Sequence, residues 1–84
     1  MNTRNLATNL QYIGLPAATV VVGGLADDHH CIMRTEDDQW EVFFYEHGEK
    51  RHRVVVATED IACTYLFGLL AQSQVLSEKL ILAD

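Results

Sequence analysis

The densest run of chemistry-bearing side chains is His29-His30-Cys31, with His47, His52 and Cys63 elsewhere in a chain of 84 residues. A zinc site needs three or four such ligands converging tetrahedrally. Adjacent residues of a strand point to opposite faces, so His29 and His30 do not converge on one ion. A Cys-His nucleophilic pair needs an exposed, electropositive thiol, whereas Cys31 and Cys63 sit in apolar neighbourhoods without CxxC spacing. Both read as reduced, buried thiols. Carboxylates gather at Asp27-Asp28 and at Glu36-Asp37-Asp38, yet nothing beside them would raise a pKa for acid-base work, and they read as solvated turns. Val22-Gly23-Gly24, followed by Leu25-Ala26-Asp27-Asp28, lacks the lysine and the helix of a phosphate loop. No metal, cofactor or catalytic residue is expected.

The elements that position these side chains follow from periodicity. Leu6, Leu10 and Ile13 recur at helical spacing from Thr3, with Asn2 or Thr3 as cap, and Gly14 and Pro16 close that helix. The β-branched run to Val22 predicts a short strand from about Ala18, with a turn or hairpin loop over Leu25–Asp28. A second strand runs from His29 to Thr35, a tight acidic connection follows, and Trp40–Glu46 forms a third strand with apolar groups on both faces. That strand is expected at the centre of the sheet. His47-Gly48-Glu49-Lys50 turns the chain into a fourth strand over Arg53–Ala57. Thr58 caps a helix over Glu59–Gln72, whose Glu59 and Asp60 oppose the positive end of its dipole. After a polar break at Gln72-Ser73-Gln74, Val75–Leu82 predicts a short third helix or a final turn. The expected architecture is one α+β domain, an antiparallel four-stranded meander packed with an N-terminal and a C-terminal helix.

Twelve Asp and Glu against six Lys and Arg give a net charge of -6, which disfavours nucleic acid or an anionic membrane and suits a basic protein partner. A hydrophobic fraction of 49% supplies a core. The N-terminal stretch has no continuous apolar run of the signal-peptide kind and no segment reaches membrane-spanning length, so a cytoplasmic chain is expected.

The pattern Trp40-x-Val42-Phe43-Phe44-x-Glu46-x-Gly48, then Thr58-Glu59-Asp60-x-Ala62-Cys63-x-Tyr65-Leu66, resembles the closing half of small bacterial immunity proteins found beside polymorphic toxins, including those of contact-dependent growth-inhibition systems. Gly14-Leu15-Pro16 is similar to the end of the opening helix of that group. His47-Gly48 departs from it, since an Arg-Gly pair is frequent there. The resemblance implies a cytoplasmic, non-enzymatic protein that neutralises a cognate toxin by tight binding.

If the toxin is a nuclease, its phosphate-binding cleft is basic, and acidic side chains of this chain would occupy it. Glu36, Asp37, Asp38 and Glu41 are the expected charge partners, with Trp40 and Tyr45 as aromatic anchors beside them. Asp27 and Asp28 are the alternative charged site, at the other end of the second strand. The free protein is expected as a monomer or weak homodimer. The competing reading is a homo-oligomeric structural or adaptor domain that assembles through the sheet face carrying Phe43 and Tyr45. Lys50-Arg51-His52-Arg53 reads as a solvated edge that discourages sheet pairing.

Overall fold

The computed structural model describes residues 1–76. Helix α1 (Thr3–Tyr12) begins at a capping box: the Asn2 side chain accepts from the Arg4 and Asn5 amides, and the Asn5 side chain accepts from the Asn2 amide at 2.7 Å. Two donors that a helix start leaves without partners are thereby satisfied. Leu6 and Leu10 form its buried stripe. The helix stops at Gly14, whose φ of 81° is the left-handed conformation that glycine adopts without a steric cost.

A single 3-10 turn at Ala17–Thr19 leads into strand β1 (Val20–Val22), followed by β2 (His29–Arg34), β3 (Trp40–Glu46) and β4 (Glu49–Val56). Helix α2 (Glu59–Leu76) completes the described chain. Thr58 caps it, its hydroxyl accepting from the Ile61 amide at 3.2 Å. The fold is α+β in the expected order, helix, four strands, helix. α2 runs through Gln72-Ser73-Gln74 without the expected break. Val75 and Leu76 therefore belong to α2, and the rest of the predicted third helix lies outside the described residues.

The sheet order is β1-β2-β3-β4. The β2–β3 and β3–β4 pairs are antiparallel, but β1 pairs parallel with β2, Val20 opposite His30 and Val22 opposite Ile32. The all-antiparallel meander is thus corrected to a mixed sheet. A parallel neighbour ordinarily needs a long crossover. Here β1 has only three residues, so the return is about 10 Å, within reach of the link from Gly23 to Asp28. Gly23, at φ 75°, starts that return, and its amide donates to the Ile32 carbonyl at 2.9 Å.

β4 starts earlier than expected and contains a bulge, the β3–β4 register slipping between Val42 and Phe44. Both helices pack on one face of the sheet. Leu6 and Leu10 of α1 and Ala62, Cys63, Leu66 and Leu70 of α2 meet Val20, Ile32 and Val42 there. Trp40 packs half-buried against the same cluster. The Gln74 amide donates to the Ile13 carbonyl at 2.9 Å, joining the two helices at the end of α1. Among the described residues, no helix is long and apolar enough to cross a membrane.

Candidate protein-docking surface

The β2–β3 turn carries Glu36, Asp37 and Asp38, all exposed. Its backbone is tied down: Thr35 donates to the Gln39 carbonyl at 2.9 Å, Gln39 donates back to the Thr35 hydroxyl at 3.1 Å, and the Asp38 amide donates to the Thr35 carbonyl at 3.2 Å. Asp38 takes a left-handed φ of 62°, which Asp tolerates in turns, and its carboxylate pairs with Arg34. Glu36 and Asp37 have no ion pair or hydrogen bond to any described residue. They are presented to solvent on this hydrogen-bonded hairpin.

The antiparallel register places this turn at the same end of the sheet as the last residue of β4, since Trp40 lies opposite both Arg34 and Val56. Three residues after Val56, α2 begins with Glu59 and Asp60. Five carboxylates therefore gather at one end of the sheet. Glu59 accepts from the Thr3 amide at 2.9 Å, and Asp60 lies 2.5 Å from the Met1 amine. Sequence alone marks Glu59 and Asp60 only as partners of the α2 dipole. The signal that could have joined them to the turn was the strand count, which returns the chain to that end.

Asp27 and Asp28 lie at the opposite end, as expected. The Asp27 carboxylate accepts from the His47 amide at 2.9 Å, and the Asp28 amide donates to the Tyr45 carbonyl at 2.7 Å. These contacts lock the β1–β2 link onto the β3–β4 turn, so Asp27 is committed to the fold. The His29 ring Nδ1 lies 2.8 Å from the Asp27 carbonyl oxygen, whereas His30 faces α2. Among the described residues, no three of His, Cys, Asp and Glu are grouped as a metal site.

Glu41 differs from the expectation. It is 5% exposed, on the sheet face away from the helices, and one carboxylate oxygen accepts from Lys50 Nζ at 2.5 Å while the other accepts from Arg53 at 3.3 Å. Burial by itself raises its pKa, but the hydrogen bonds and charges of Lys50 and Arg53 outweigh that and hold the carboxyl below its ordinary 4.5. A carboxylate so engaged is not an available docking charge. Lys50 and Arg53 are an odd number of residues apart and would sit on opposite faces of a regular strand. The bulge adds the extra residue that brings both to Glu41.

The face expected as an apolar assembly patch is closed in the same way. Phe43 is 1% exposed, with Lys50 Nζ 4.7 Å from its ring centre and Tyr45 edge-on at 6.4 Å. Tyr45 is half-buried. Trp40 packs on the core and does not stand free beside the acidic turn.

On the helix side, a groove of about 440 Å³ opens between α2 and β3–β4, walled by Val42, Phe44, Leu69 and Leu70 with His30, His52, Tyr65 and Ser73 at its polar positions. Comparison of the chain with protein-family models, with curated proteins and with solved structures finds no match.

Proposed function

We propose that this chain is a non-enzymatic binding module that neutralises a basic protein partner, and that the partner is a toxin domain of nuclease type met in the cytoplasm. One observation carries the reading. Of the five Lys and Arg residues described, four, Arg34, Lys50, Arg51 and Arg53, are ion-paired within the chain and only Arg4 is not, while Glu36 and Asp37 are left free. The surplus of negative charge is therefore displayed on a firm hairpin, where it complements a phosphate-binding cleft and speeds encounter with it. Glu36 and Asp37 lead, with Asp38, Glu59 and Asp60 adding to the field and Asp28 at the far end as the alternative contact. The class of partner rests on the likeness to immunity proteins, which act by occupation and need no nucleophile.

The test is capture of the product of the gene immediately upstream by the tagged chain, followed by stopped-flow association across about 0.02–0.5 M salt. A tight complex is expected whose association rate falls steeply with salt, and Glu36→Lys/Asp37→Lys slows association by about tenfold or more without lowering stability by more than about 0.5 kcal/mol. A complex indifferent to salt and to the double reversal overturns the acidic docking, and absence of any complex with a neighbouring product overturns the immunity reading.

A further inference from the structure

The groove between α2 and β3–β4 plays no part in the acidic docking surface. His52 is its most informative wall. Among the described residues four non-glycine residues take a positive φ: Asp28, Asp38 and His47 do so in turns or links, whereas His52, at 55°, does so inside a strand. A non-glycine residue in that conformation is uncommon, and a bulge re-aims side chains. The bulge sets Phe44 opposite Arg51 and delivers the next side chain, His52, to the groove.

His30 enters the same groove from β2, where it is paired with Phe44 and meets its ring edge-on at 5.0 Å. The imidazole is half-buried, and no hydrogen bond joins it to any described residue. Burial lowers its pKa, so it enters the groove as a neutral ring with one N–H. A half-buried imidazole with no hydrogen-bond partner among the described residues favours a ligand that supplies an acceptor. Tyr65 and Ser73 add hydroxyl donors from α2.

The composition of the wall selects the ligand. Every polar side chain on it can donate a hydrogen bond, and among the described residues no Asp or Glu lines the groove. The remaining wall is aromatic and aliphatic. Its volume falls within the range of roughly 300–1,000 Å³ typical of small-molecule sites. We propose that this groove binds a small anion with an aromatic or branched apolar body, its head group held by the imidazoles of His30 and His52 and its body lying against Phe44 and Leu69.

Naphthalene-2-sulfonate is the test probe, since it stays ionised at all working pH values, and naphthalene-2-methanol is its uncharged counterpart. Both are titrated into the ¹⁵N-labelled full chain and followed by amide and imidazole shifts. The proposal expects saturable sulfonate binding with shifts centred on His30, Phe44, His52, Tyr65 and Leu69, and at least about fivefold weaker binding of the alcohol. His52→Gly suits the left-handed backbone and so keeps the fold; it and His30→Gln each weaken the sulfonate by about fivefold or more while leaving the alcohol unchanged. Equal affinity for the two probes, shifts centred elsewhere, or no saturable binding overturns it. The same titration with Glu36→Lys/Asp37→Lys returns wild-type values, which separates this site from the docking surface.

Discussion

Glu41→Gln tests whether the carboxylate on the open sheet face holds the fold. The side chain is 7% exposed and accepts from Lys50 at 2.5 Å and Arg53 at 3.3 Å. A hydrogen bond involving a charged group is worth about 1.5–3 kcal/mol when desolvated. The side chains of Lys50 and Arg53 are 37% and 46% exposed, however, so water recovers part of each when the charge is removed. Glutamine keeps the volume and one acceptor but turns an amide N–H₂ toward a cation. The net cost expected near pH 7 is about 1–2 kcal/mol, against a total stability of about 4–12 kcal/mol for a chain of this length. That lowers Tm by about 5–15 °C.

The pH dependence sharpens the test. The folded-state pKa of Glu41 lies below 4.5, so its contribution is present above the unfolded value and is lost as pH falls through the folded one. The stability gap between wild type and Glu41→Gln should be full near neutrality, shrink below pH 4.5 and close in stronger acid. Urea titrations at about pH 7, 5, 4 and 3 read the gap directly. A gap that is absent at neutrality, or one that stays constant with pH, refutes the cluster as a stabilising feature. If Glu41→Gln instead left stability intact and abolished capture of the proposed partner, Glu41 would return to the docking surface.

Two further outcomes follow from the core. Leu66, 0% exposed between the sheet and α1, should cost about 2–5 kcal/mol when changed to alanine, a large part of the total, measured as a fall in the urea midpoint at unchanged slope. Burial, aided by the nearby charge of Glu59, pushes the Cys63 thiol up to about 11, and both Cys31 and Cys63 are 0% exposed. Neither should react with a disulfide reagent at about pH 8 in the folded chain, and both should react at the rate of unfolding in urea; prompt labelling of a native thiol contradicts their burial.

Much of the element map was legible because it depends on neighbours in the chain. Asn2, Gly14 and Thr58 mark helix ends through local hydrogen bonds and backbone preference. Trp40–Glu46 shows the strand at the heart of the antiparallel pairs, with the expected bounds. Alternation alone placed His29 and His30 on different faces and put the two acidic clusters at opposite ends of β2. The α2 boundary was less legible, since Gln72-Ser73-Gln74 reads as a break in hydropathy while the helix continues through it. One reason is tertiary: Gln74 reaches the end of α1.

The sequence by itself therefore determined the order of helices and strands, that the chain is acidic, and that Glu36 and Asp37 stand on a turn. The direction of β1 was decided only in three dimensions, because a six-residue link fits a hairpin or a short return equally well until strand length and pairing are known. So was the bulge at His52, a one-residue mismatch between two strands that neither strand records alone. From that mismatch come the burial of Glu41 beneath Lys50 and Arg53 and the entry of His52 into the groove beside His30. Local preference sets the elements, whereas register, the sum of many cross-strand contacts, sets which side chains meet.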